Sequence, residues 1–280
     1  MIDDGQFDAS RPRAELIDTA VPNPARVADF LNGGRNNFEA DRRTAQTMLT
    51  IAPVIEAIVP FVFAFHQRAV GFLAREAGIR QFIDVGTGLA GAETGRDLVH
   101  SVVPGCRVVH VDNDPMVLTH LRAFSRSAAQ GAYAALDAKL TDPAAVLAGA
   151  AETLDFREPA AVLLPSSLPF IAGAQRVAAI VSALMAPLAA GSYLALCHVA
   201  SDLDPALATG VDYWNRISAP HLTLRSRAEV AALTIGLDVV EPGLVPVNEW
   251  RPAPGQAVPD RPVPVYAVVA RKTGEPDDAR

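Results

Sequence analysis

Phe82-Ile83-Asp84-Val85-Gly86-Thr87-Gly88-Leu89-Ala90-Gly91 is an apolar run that ends on a carboxylate and breaks into Gly-x-Gly-x-x-Gly. A second apolar run, Val108-Val109-His110-Val111, ends in Asp112, 24 residues beyond Gly88. Two neighbouring parallel strands with that spacing would bring a glycine turn and a carboxylate together at their carboxyl ends, where a nucleotide-like ligand lies. Gly86 and Gly88 allow a tight turn and a backbone approach that a Cβ would obstruct. Asp112 is the candidate acceptor for both ribose hydroxyls. Taken singly, each half is also an ordinary glycine-rich strand–helix turn or a helix-capping Asp. The two halves at matching spacing favour the ligand.

Asp84 separates two kinds of ligand. A carboxylate directly before the glycine turn repels a pyrophosphate, which other glycine turns bind at a helix N-terminus. It can instead accept from an ammonium group. S-adenosylmethionine carries an amino-acid end, a sulfonium and a ribose but no phosphate, so Asp-x-Gly-x-Gly favours it over a dinucleotide. Asp84, Gly86, Thr87, Gly88, Asp112 and Asn113 are the candidate cofactor-binding residues.

Other reactive side chains are weighed by position. His198 closes the fifth expected strand at the carboxyl edge of the sheet and is the candidate general base, against the alternative of a strand-end His bonded to a loop carbonyl. His221, after Pro220, reads as surface, and His66, inside an apolar helix, as core or interface. Tyr213 and Trp214 are adjacent on one helix and face different ways, so one of them belongs to the core. Ser166-Ser167 lacks a Gly-x-Ser-x-Gly elbow, which argues against a hydrolase. Glu249-Trp250-Arg251 reads as a lid or interface element. No His/Cys/Asp cluster has metal-ligand spacing.

The elements that must hold these residues form an alternating series. Strands are expected at 81–85, 107–111, 132–136, 160–165 and 192–198, with helices at 92–102, 115–128, 143–150, 174–188 and 204–217, the pattern of a parallel sheet with crossovers. A helix at 226–235 and strands at 238–241 and 264–270 follow, one of them antiparallel at the sheet edge. Upstream, helices are expected from Asn23-Pro24 to Asn32, over Glu39–Thr50, and over Ile55–Ala77 with a kink or a later start at Pro60. The segment 55–65 is apolar around most of its circumference, so it is buried, lines a pocket or meets a partner or second copy. Half of the 280 residues are hydrophobic, 20% are charged and the net charge is −7, which describes a globular chain without a basic surface for nucleic acid. The two cysteines are too few for a disulfide framework. No spanning-length apolar run is read, so neither a membrane nor export is expected, and the location expected is cytoplasmic.

Val21-Pro22-Asn23-Pro24-Ala25-Arg26-Val27, followed by Leu31-Asn32-Gly33-Gly34-Arg35-Asn36-Asn37-Phe38-Glu39-Ala40-Asp41-Arg42, resembles the N-terminal signature of a bacterial S-adenosylmethionine-dependent methyltransferase family. Gly78-Ile79-Arg80-Gln81-Phe82, Val111-Asp112-Asn113-Asp114-Pro115, Leu222-Thr223-Leu224-Arg225-Ser226 and Val240-Glu241-Pro242-Gly243-Leu244-Val245-Pro246-Val247 are similar to it too, so the likeness covers about residues 17–272. It implies a class I methyltransferase (Rossmann-like) α/β fold: a seven-stranded, mostly parallel sheet with helices on both faces. The helical cap would span 1–77, the Rossmann-like domain 78–272 and a flexible tail 273–280. It also implies the functional position of His198 and a place for Asn113 near the adenine edge. Departures from the family pattern fall at Asn36, Val62-Phe63, Ala90-Gly91, Thr94-Gly95-Arg96-Asp97, Lys139 and Pro169.

The function expected is methyl transfer to an oxygen, nitrogen or carbon of a small molecule of specialised metabolism. Two alternatives stand beside it. One is a repurposed enzyme performing an elimination, cyclisation or displacement without the cofactor, suggested by departures near the pocket while the fold signals survive. The other is a non-catalytic partner subunit docking through the 55–65 helix.

Overall fold

The computed structural model describes residues 17–86, 88–89, 98–103, 105–125, 133–253, 255, 259 and 261–274. Thr87, the departures at 90–91 and 94–97, and most of the expected tail lie outside the described residues.

Asn/Asp-Pro pairs start four helices, one of them α5 (Pro115–Ser125), which Asp114 caps. Asn23, Asp142 and Asp204 accept from backbone amides of the first turn, and the following proline occupies a position whose N–H would have no helical partner. These begin α1 (Pro24–Leu31), α6 (Pro143–Ala150) and α8 (Pro205–Ile217). The other helices are α2 (Glu39–Ile51), α3 (Ile55–Arg75), α4 (Leu98–Val102), α7 (Ala174–Met185) and α9 (Arg227–Ala231). α3 starts at Ile55 and runs through Pro60, so the start is not moved to the proline.

The strands are β1 (Gln81–Val85), β2 (Arg107–Asp112), β3 (Tyr133–Asp137), β4 (Ala161–Leu164), β5 (Tyr193–Val199), β6 (Asp238–Val239), β7 (Val245–Pro246) and β8 (Val265–Arg271). Their order is β3-β2-β1-β4-β5-β8-β6, with β7 also paired to β8. β1 to β5 are parallel, and β8 is antiparallel to β5, β6 and β7. This is the class I methyltransferase arrangement with one addition. The two-residue β7 makes the described sheet eight-stranded, and so short a pairing leaves no pattern in the sequence. Strand order reverses between β1 and β4, which opens a crevice at their carboxyl ends.

Alternate residues feed two cores. Ile83, Val109, Val162 and Leu194 pack towards α6 and α7; Phe82, Val108, Leu163 and Ala195 pack towards Phe65–Ala74 of α3 and Trp250. A third cluster joins Val27 and Met48 of α1 and α2 to Leu207, Val211 and Trp214 of α8. The cap is therefore built from the N-terminal helices together with α8, and the second half of α3 belongs to the sheet.

One expectation is corrected here. α3 is long and apolar enough to cross a membrane by length and composition, so a spanning-length apolar run does exist. Its apolar side chains are used inside the protein: Phe65, Ala69, Val70 and Leu73 are buried on the sheet, and Ile58, Val59, Val62 and Phe63 line a cavity. Glu249-Trp250-Arg251 is likewise no lid. Trp250 is fully buried, edge-on to Phe65 with ring centres 5.2 Å apart, and its carbonyl accepts from Arg68 Nε at 2.8 Å.

Candidate functional site

Both described glycines of the turn have left-handed backbones, with φ +73° at Gly86 and +65° at Gly88, but different surroundings. A Cβ on Gly86 would lie 2.7 Å from Ser167 Cβ, because the loop after β4 presses against the loop after β1. Ser167 Oγ donates to Val85 O at 3.2 Å, and Gly86 N donates to Val111 O at 2.8 Å. Gly86 thus locks three strand ends together. A Cβ on Gly88 would meet nothing within 4 Å. Gly88 keeps its backbone bare on the wall of a cavity.

Asp112 ends β2 beside it. Its Oδ1 accepts from the backbone amides of Asn113 at 2.8 Å and Asp114 at 2.9 Å, and Gly88 N lies 3.4 Å from Oδ2. Burial pushes its pKa up to about 6, against the lowering effect of the Asp114 amide. Asn113 is exposed and lines the same cavity. Asp114 caps α5 by accepting from Met116 N and Val117 N, and its other oxygen accepts from Asn23 Nδ2 at 2.8 Å.

That last bond ties the cap to the site. Asn23 Oδ1 caps α1, and its backbone N donates to Asp41 Oδ1 at 2.9 Å. Asp41 Oδ2 also accepts from Arg26 Nε and Phe38 N, each at 2.8 Å. The Asn-Pro and Asn-Phe-Glu-Ala-Asp-Arg segments of the N-terminal signature therefore act as a buried clasp. Their sequence spacing alone says nothing about Asp114.

The cavity measures about 740 Å³, within the range of small-molecule sites. It runs from Gly88 and Asp112 to Met48, Val59, Val211 and Trp214 beneath the cap. Of the departures from the family pattern, Val62, Phe63, Lys139 and Pro169 lie on its lining.

Three sequence assignments change. Asp84, expected on the ligand's ammonium, is fully buried one layer back: its Oδ1 is 3.6 Å from His66 Nε2 and its Oδ2 3.1 Å from His110 Nδ1. Its side chain shares the sheet face of Phe82, under α3, so His66 and not Asp84 is on the lining. His198 does line the cavity, at the end of β5, but both ring nitrogens are engaged. Nδ1–H donates to Val199 O at 2.9 Å, and Nε2 accepts from the Arg225 guanidinium. Burial lowers its pKa to about 4. It is therefore neutral at pH 7 with its lone pair directed at Arg225, which does not suit a general base. His66, expected as core or interface, instead lines the cavity. The only sequence signal for it was a polar side chain within an otherwise apolar helix.

Tyr213 and Trp214 divide as expected. Trp214 is 2% exposed and donates Nε1–H to Pro220 O at 2.9 Å, while Tyr213 is half-buried. His221 is exposed. The described residues bring together no His/Cys/Asp/Glu group able to hold a metal ion.

The residues present fit S-adenosylmethionine. Gly88 offers an open cradle, Asp112 an acceptor for vicinal hydroxyls, and the carboxylates of Asp112 and Asp114 beside the turn suit a cationic ligand better than a pyrophosphate. A parallel sheet with this strand order, and this turn and carboxylate at its switch point, defines a class I nucleoside-cofactor fold. The chain belongs to the S-adenosyl methyltransferase family, whose model matches residues 10–273. It is an S-adenosylmethionine-dependent methyltransferase-like enzyme. It is similar to a DUF574 family protein from Streptomyces avermitilis MA-4680, at 34% identity over 91% of this chain and 99% of that one, with a TM-score of 0.83. A candidate methyltransferase from Thermobifida fusca YX is similar at 32% identity over 92% and 97% of the two chains, with a TM-score of 0.83. No functionally curated protein matches the chain.

Proposed function

We propose that this enzyme methylates an oxygen, nitrogen or carbon of a small molecule in cytoplasmic, specialised metabolism. One observation carries the reading: the bare backbone of Gly88 and the carboxylate of Asp112 share a single cavity with an apolar chamber under the helical cap. In this reading the Gly86–Gly88 backbone, Asp112 and Asn113 hold the cofactor. S-adenosylmethionine supplies an electrophilic methyl group on a sulfonium, and its transfer needs alignment and a dry site more than covalent help. The clasp from Asn23 to Asp114 holds the cap over the ligand and excludes water. His66, backed by Asp84, is the lining residue placed to accept a proton when the acceptor must lose one.

Calorimetric titration with S-adenosylhomocysteine tests this. Micromolar binding is expected, and Asp112→Ala should abolish it while the far-UV spectrum stays native. Unchanged affinity in that variant would sink the assignment. Absence of binding in the wild type would favour the competing proposal, conversion of a substrate without the cofactor, for which the altered lining at Val62, Phe63, Lys139 and Pro169 speaks. Docking of a partner on 55–65 is the weakest proposal, because Phe65 is buried and Ile58, Val59, Val62 and Phe63 face the cavity.

A further inference from the structure

The polar and apolar parts of the cavity are segregated. Asp112, Asp114 and Lys139 stand at the strand ends, beside the glycine turn. Beneath the cap the wall is Met48, Ile55, Ile58, Val59, Leu207 and Val211, from α2, α3 and α8. Among the described residues, polar atoms that border this end are already engaged: Trp214 Nε1 with Pro220 O, both nitrogens of His198, and the Arg26 guanidinium with Asp41 and the carbonyls of Asp18 and Val21, while His66 of α3, on the lining, stands against the buried Asp84, its Nε2 3.6 Å from Oδ1. The chamber is also preformed. A Cβ on Gly210 would lie 3.0 Å from Ile55 Cδ1 and 3.6 Å from Ala52 Cβ, so α8 sits directly on the α2–α3 junction.

We infer that this chamber is the acceptor site and that it takes an uncharged, largely apolar molecule whose one nucleophilic group points back towards the glycine turn. The inference rests on the methyl-transfer reading for the identity of the neighbouring ligand. Its physical basis is desolvation. A charged acceptor entering here would leave water without meeting, among the described residues of the chamber wall, a counter-charge or an unengaged donor, whereas hydrocarbon surface gains by burial against these side chains. The cofactor does not account for the chamber, because its ribose and amino-acid ends match the polar end of the cavity.

The test uses three probes of one size at pH 7: 1-naphthol, 1-naphthoate and 1-naphthylmethylammonium. Each is titrated into the full-length protein with and without saturating S-adenosylhomocysteine. The naphthol is expected to bind at least about ten-fold more tightly than either ion. Val59→Asp, at a half-buried lining position outside the three large apolar clusters, should weaken naphthol about ten-fold or more and leave S-adenosylhomocysteine affinity within about two-fold. Val59→Phe, which fills the chamber without a charge, should weaken naphthol likewise and guards against a folding defect in the first variant. The inference is overturned if either ion binds as tightly as the naphthol, if the naphthol does not bind at millimolar concentration, or if both variants bind it normally. Failure of S-adenosylhomocysteine to bind, with the naphthol preference intact, would remove methyl transfer and leave the chamber's specificity standing.

Discussion

Asp112 and His198 are both shifted by burial, with opposite consequences. The Asp112 pKa is raised from 3.8 to about 6, so the folded chain keeps a proton that the unfolded chain has released between those values. Its contribution to stability is present below pH 3.8 and is lost as pH rises through about 6. The His198 pKa falls from 6.5 to about 4, so its contribution is present above pH 6.5 and is lost as pH falls through about 4. Removing the first slope should expose the second: in Asp112→Asn the melting temperature should rise more steeply with pH between 4 and 6.5 than in the wild type. Binding should follow Asp112 as well, because only the ionised carboxylate accepts from two hydroxyls. Affinity for S-adenosylhomocysteine should be flat from pH 7 to 8 and fall towards about ten-fold per unit below about pH 6, with a flatter profile in Asp112→Asn. A wild-type profile level down to pH 5 would refute this role for Asp112. The glycines show what a sequence pattern does and does not reveal. Gly86 and Gly88 look alike in the motif, yet one is required by Ser167 and the other by the cavity.

Among the elements, the N-terminal clasp depends most on one buried pair. Arg26 is 4% exposed and Asp41 is fully buried, and Asp41 serves Arg26, Asn23 and Phe38 together. Asp41→Ala leaves a buried guanidinium without its carboxylate and should cost about 3–5 kcal/mol in denaturant unfolding. A loss below about 1 kcal/mol would mean that the cap is not clasped as described. Gly34 belongs to the same construction, since a Cβ there would collide with the Asp29 carboxylate. α3 illustrates the limit of periodicity. Its apolar surplus left burial, pocket and partner open, and only packing divided it into a sheet-facing half and a cavity-lining half.

At the scale of the molecule, the cavity is shared by the sheet edge, α1, α2, α3 and α8, so a ligand filling it should brace the whole fold. Saturation with S-adenosylhomocysteine at about 100 times its Kd is worth about 2.7 kcal/mol, which should raise the melting temperature by roughly 5–10 °C. The rise should vanish in Asp112→Ala, and a wild-type melting curve indifferent to the ligand would contradict the site. Local chemistry was enough to write down much of the architecture. Alternation of strands and helices, Asn/Asp-Pro caps and the glycine turn depend on neighbours in the chain, and β1, α6 and the Asp112 strand end follow from them. Side-chain partnership across the chain is different, because it depends on which faces meet. The engagement of His198 by Arg225, the retreat of Asp84 behind His66, the bond from Asn23 to Asp114 and the joining of α8 to the N-terminal helices link residues 18 to about 180 positions apart. No local pattern encodes those distances, and the tertiary packing alone decided them.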